Sequence, residues 1–72
     1  GPRHPQSMKL TVNGTARDVR ATQVEELVAE LGLPLAAALV ELNGTALLRS
    51  EWTSAALREG DELEIVRMVA GG

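Results

Sequence analysis

Apolar and polar residues alternate from Met8 onward: Met8, Leu10 and Val12 share one phase, Lys9 and Thr11 the other. A period of two belongs to a half-buried strand, so this stretch is expected to be extended. Asn13-Gly14 comes next. Both residues tolerate the positive φ of a two-residue turn, which predicts a hairpin. Residues 15–20 then return as a second strand, with Ala16 and Val19 offering apolar faces.

The period then changes. Val24, Leu27, Val28 and Leu31 fall at i, i+3, i+4 and i+7, one stripe of a helix. Thr22-Gln23-Val24-Glu25 has the form of a capping box, in which Thr and Glu each satisfy a backbone N–H of the other. Glu25, Glu26 and Glu30 take the solvated side. Gly32 is the expected stop, and Pro34 prevents continuation.

Strand signals resume over residues 37–42, with Val40 and Leu42 on one face and Leu39 and Glu41 on the other. A second Asn-Gly pair, Asn43-Gly44, leads into the short apolar run Ala46, Leu47 and Leu48. Ser50 can cap a brief helical turn, with Glu51 well placed for the helix dipole. Glu59-Gly60-Asp61 reads as another turn, and Leu63 and Ile65 mark a last strand. Val66 and Met68 lie in the opposite phase, so either a bulge shifts the register or this end is apolar on both faces. Two hairpins, one main helix and a short second helical turn predict an α+β fold: a mixed sheet of about five strands with the helix across one face. The first and last strands are its natural central neighbours. That is the β-grasp, or ubiquitin-like, arrangement.

Composition narrows the chemistry. The chain has 72 residues, enough for one thin core and too few for a deep substrate cavity. Residues 1–7 read as an expression-tag remnant ahead of a natural start at Met8, with residues 8–68 as the domain. There is no cysteine, and the one histidine, His4, lies in that leading segment. Zinc, iron–sulfur and thiol chemistry thus lack ligands, and no metal site is expected. Seven basic residues stand against ten acidic ones; with Arg3 set aside, six remain and the net charge from Met8 on is −4. An acidic chain without Phe or Tyr lacks the basic face and stacking platforms of a nucleic-acid binder. No apolar run nears the roughly 20 residues that cross a bilayer, and no secretory signal precedes Met8. The expected location is cytoplasmic.

Trp52, the one aromatic residue, is either a docking anchor or cover for the edge of a small core; core packing is the favoured reading. Glu62 and Glu64 are expected to point outward, near the end of the chain. Paired carboxylates suggest acid–base chemistry only beside a pocket and a nucleophile, and the pattern supplies neither. No catalytic residue of its own is expected.

The chemistry lies in the tail. Past Arg67 and Met68 the last strand continues as Val69, Ala70, Gly71 and Gly72. Residues 69–72 are expected to form a flexible extension that reaches about 13–14 Å when fully stretched. Bare glycine backbone fits a narrow channel. A carboxylate at Gly72 is a poor electrophile until activated, typically as an acyl-adenylate made from ATP. A sulfur nucleophile then displaces AMP and leaves a thiocarboxylate on the carrier.

Several segments carry a family likeness. The opening from Met8 to Gly14, the Leu42-Asn43-Gly44 turn, Arg49-Ser50-Glu51-Trp52, the stretch from Gly60 to Val66 and the Val69-Ala70-Gly71-Gly72 end resemble the ThiS family of sulfur carriers in thiamine biosynthesis. The resemblance implies two partners, an E1-like (ThiF-like) adenylyltransferase that uses ATP on Gly72 and a thiazole synthase (ThiG-like) that takes the sulfur. It implies no bound cofactor. It also implies a docking surface on the exposed sheet face and tail, mapped to Arg67, Met68, Val69 and Ala70. Related carriers with the same ending serve molybdopterin, cysteine or secondary-metabolite pathways, and a ubiquitin-like modifier shares the group; these alternatives stay open at this point.

Overall fold

The computed structural model describes residues 7–68. The expectations for residues 1–6 and for the tail, Val69, Ala70, Gly71 and Gly72, lie outside the described residues. The elements follow in the order β1 (Met8–Val12), β2 (Thr15–Val19), α1 (Val24–Glu30), β3 (Ala38–Leu42), β4 (Thr45–Ala46) and β5 (Glu62–Arg67). Short 3₁₀ turns occupy Leu35–Ala37 and Arg49–Glu51. The five strands form one sheet in the order β2-β1-β5-β3-β4. β1 and β5 run parallel, while β1–β2, β3–β4 and β3–β5 are antiparallel. The first and last strands are central neighbours, as their alternation implies.

One face of this sheet and one stripe of α1 make the core. Leu10 and Val12 from β1, Val19 from β2, Val24, Leu27 and Val28 from α1, Val40 from β3, and Leu63 and Ile65 from β5 are all buried. Trp52 is buried with them, so it packs in the core rather than standing out as an anchor. Ala16 is exposed; β2 offers only Val19 inward, because Ala16 falls in the opposite phase of the strand.

Both Asn-Gly pairs form the predicted turns, with Asn13 at φ 51° and Gly14 at φ 82°, Asn43 at φ 50° and Gly44 at φ 85°. Positive φ at two successive positions is what a two-residue hairpin demands.

Two capping expectations need correction. Thr22 and Glu25 do not form a box, and Gln23 holds the N-cap position of α1 without a side-chain bond. Of the two donors such a box would satisfy, the Glu25 N–H goes to another segment, the Trp52 carbonyl at 3.2 Å, while the neighbouring Val24 N–H donates to the Ala55 carbonyl at 3.0 Å. Thr22 bonds instead to Glu26, its N–H and its hydroxyl both donating to Oε1 at 2.8 Å. Ser50 does not cap the later turn either. It lies inside Arg49–Glu51, behind an N-cap at Leu48, and the Glu51 carboxylate accepts from the Leu48 N–H at 2.7 Å.

The acidic side of α1 is also more than a solvated face. Glu30 accepts from the Ala21 N–H at 3.0 Å and the Arg20 N–H at 3.2 Å, tying the end of the helix to the link that precedes it. Glu25 meets Arg49 at 3.4 Å, and the Arg49 guanidinium sits 4.6 Å from the centroid of the Trp52 ring.

Candidate functional site

β5 is the middle strand of the sheet, and its last residues lead to the tail. Its register with β3 runs unbroken from Leu42↔Leu63 to Ala38↔Arg67. No bulge intervenes there, so of the two readings of Val66 and Met68 the second holds: this end of β5 is apolar on both faces. Leu63 and Ile65 face α1, while Val66 is 52% exposed and Met68 50%. Leu39 stands directly across from Val66 and is itself 50% exposed.

Leu39 and Val66 belong to a shallow recess, about 390 Å³ in volume, lined also by Val40, Ala46 and Leu47 with the carboxylates Glu41 and Glu64. Glu41 and Glu64 are themselves a cross-strand pair and both are exposed. Like charges directly opposite each other destabilise a sheet. The fold thus keeps an apolar patch open and rims it with a carboxylate pair that lowers its own stability.

Of the residues singled out from the sequence, Arg67 ends β5 and Met68 follows it with its N–H donating to the Ala37 carbonyl. Both side chains are exposed. The structure thus brings Met68 to the edge of the patch formed by Leu39 and Val66. Leu39, Ala46 and Leu47 were not legible as part of this surface, because only the β3–β5 and β3–β4 pairings put them beside β5. The off-phase apolar residues Val66 and Met68 were the one signal that pointed there.

A second device escaped sequence reasoning. The Asn13 carboxamide lies against β5 like a further peptide group: its Nδ2 donates to the Ile65 carbonyl at 2.9 Å and its Oδ1 accepts from the Ile65 N–H at 2.8 Å. Asn43 does related work on the other side, accepting from the Glu62 N–H at 2.9 Å and donating to Asp61 at 3.0 Å. Each turn asparagine therefore sets the local backbone and clamps β5.

Among the described residues no group of three or more His, Cys, Asp or Glu could hold a metal ion, and no helix is long and apolar enough to cross a membrane. One carboxylate is electrostatically distinct. The Thr22 backbone N–H, and then its hydroxyl, hold Glu26 below the ordinary value of 4.5. That belongs to the start of α1, away from β5.

What fold and site define is a β-grasp scaffold whose middle strand ends beside an open apolar face. The family model named ThiS family matches residues 10–72, and the chain belongs to that family. It is similar to the sulfur carrier protein ThiS of Thermus thermophilus, 34% identical over 61 residues, covering 85% of this chain and 95% of that one. It is also similar to part of a thiazole synthase of Paramagnetospirillum magneticum, 39% identical over 66 residues. That match takes in 90% of this chain but only 20% of the longer protein. Among solved structures, the crystal structure of the thiamine biosynthesis protein ThiS from Geobacter metallireducens superposes with a TM-score of 0.76 at 35% identity, covering 90% of this chain and all of that one. The solution structure of a thiamine biosynthesis protein from the same organism gives 0.74 at 35% identity, covering 90% and 88%.

Proposed function

We propose that this chain is the sulfur carrier of thiazole formation in thiamine biosynthesis, working through the carboxylate of Gly72. An E1-like, ThiF-like adenylyltransferase joins that carboxylate to AMP from ATP and releases pyrophosphate. A sulfur nucleophile then displaces AMP and leaves a thiocarboxylate, with one oxygen replaced by sulfur. A ThiG-like thiazole synthase takes the sulfur, and the chain returns to the carboxylate. The carrier supplies no catalytic residue and binds no cofactor. Its place is the cytoplasm, where ATP and reduced sulfur meet.

The observation that carries this reading is the course of β5. The middle strand of the sheet, paired on both sides, ends at Arg67, five positions before Gly72 in the chain, which supports a reading in which the body holds the working end by its central element. The similarity of 90% of this chain to one-fifth of a thiazole synthase supports the second partner, since a carrier-like segment and a synthase there share one polypeptide. The patch of Leu39, Val66 and Met68 is the docking surface in this reading, with Arg67 at its border. A partner's Arg or Lys set between Glu41 and Glu64 would relieve their repulsion, so the pair favours a partner with a basic rim.

Intact-mass measurement tests the proposal. The chain is incubated with a purified ThiF-like adenylyltransferase, ATP and a sulfur donor. Gain of the mass of one oxygen-to-sulfur exchange is expected. No gain, with an enzyme active on its own carrier, counts against it.

A further inference from the structure

β5 is covered unequally on its two sides. Toward β3, alternate residues are bonded to the very end: the Glu62 carbonyl accepts from Asn43 N–H at 2.7 Å, and the Met68 N–H donates to Ala37. The intervening residues turn their backbone groups toward β1. There the Leu63 carbonyl accepts from Asn13 N–H at 2.8 Å, and both backbone groups of Ile65 are met by the Asn13 carboxamide. The row stops at that point, because β1 turns away at Asn13-Gly14. The next groups facing that way are the N–H and C=O of Arg67, which the β1 pairing, ending at Val12↔Leu63, does not reach.

We propose that the adenylating enzyme adds an extended segment of its own to this open edge, in line with β1 and beyond the Asn13-Gly14 turn, bonded to the backbone of Arg67. The inference rests on the carrier reading above and deepens it. Three features argue for this occupant. Arg67 precedes Gly72 by five positions in the chain, so an enzyme that encloses Gly72 meets Arg67 on the way. An added strand lies about 4.8 Å from its neighbour, and the empty row is beside Arg67 alone, since Asn13 satisfies Ile65. Near it is a recess of about 340 Å³ lined by Val12, Asn13, Thr15, Arg17, Leu31, Leu33 and Ile65, a mixed lining that suits an amphipathic side chain of the incoming segment.

A second copy of this chain fits less well. Arg67 puts a charge on the open edge, a device that discourages edge-to-edge pairing between copies. Like net charge, −3 per chain, opposes such a dimer as well.

Amide hydrogen exchange on the full chain tests this, free and then saturated with the purified ThiF-like adenylyltransferase. The Arg67 amide is expected to exchange freely in the isolated chain and at least about tenfold more slowly in the complex, the factor one hydrogen bond supplies. An unchanged Arg67 rate in a complex shown intact by gel filtration overturns the proposal. A variant pair gives a second readout. Arg67→Pro removes the N–H, which points away from β3, a setting in which strands tolerate proline; Arg67→Ala removes the charge and keeps the N–H. With both folded by thermal melt, kcat/KM for adenylation is expected to be about tenfold lower for Arg67→Pro than for Arg67→Ala. Equal values overturn the added strand. Should wild-type chain gain sulfur while Arg67 stays unprotected, the strand fails and the carrier reading stands. Should wild-type chain never be adenylated, both fail.

Discussion

Asn13 does two jobs that separate substitutions can take apart. Its φ of 51° is uncomfortable for most residues, while its carboxamide bonds Ile65 twice. Asn13→Gly keeps the turn geometry and loses the bonds, at an expected cost of about 1–2 kcal/mol. Asn13→Ala adds the strain of positive φ and is expected to cost more; chemical denaturation ranks the two. Glu26 makes a different case. Its folded pKa lies below the ordinary 4.5 because Thr22 donates to the ionised form. The stabilisation is therefore complete above that ordinary value and fades as pH falls through the lowered one. The stability difference between wild type and Glu26→Gln is expected to shrink as pH drops from about 5 to about 3, measured by denaturant melts across that range.

At the scale of elements, α1 is only seven residues long, too short to be stable alone. Its place depends on the stripe of Val24, Leu27 and Val28 against the sheet and on the carbonyls of Trp52 and Ala55 that receive its first donors. Leu27→Ala opens a cavity in a thin core, and a loss of about 2–5 kcal/mol is expected in denaturant unfolding. β3 and β5 show the opposite balance. Replacing one carboxylate of the Glu41–Glu64 pair, as in Glu64→Lys, is expected to stabilise the fold by about 0.2–1 kcal/mol. The same change should raise KM for the adenylating enzyme, because the acidic rim is halved. A melt and a kinetic assay moving in opposite directions would mark the pair as functional; an unchanged KM would reduce it to a solvated pair.

For the whole molecule, body and tail are expected to be separable. Deleting Gly72 should leave the melting temperature unchanged, since the core draws on Leu10 to Ile65, and should abolish sulfur loading by intact mass. Loading that survives the deletion would refute the tail as the working end. The body then has three tasks: to hold β5 rigid, to show Leu39 and Val66 on one face, and to leave the β1 side of Arg67 open.

The two periods and the two Asn-Gly pairs determined most of the architecture by themselves. Alternation in Met8–Val12 and at Leu63 and Ile65, and the 3.6-residue stripe of α1, are local matters of which side chains can be buried together. The role proposed for the diglycine end is also read from the sequence alone, since its chemistry needs no neighbours. Only the tertiary structure decided the rest. Thr22 was free to turn to Glu26 because residues 52–57 bring Trp52 and Ala55, some thirty positions away in the chain, onto the first turn of α1. Leu39 became part of a surface because β3 pairs with β5. The open edge at Arg67 exists because β1 ends opposite Leu63, four positions short of the end of β5. Hydrogen-bond donors and apolar faces choose partners by distance in space, and pairing between distant segments sets that distance.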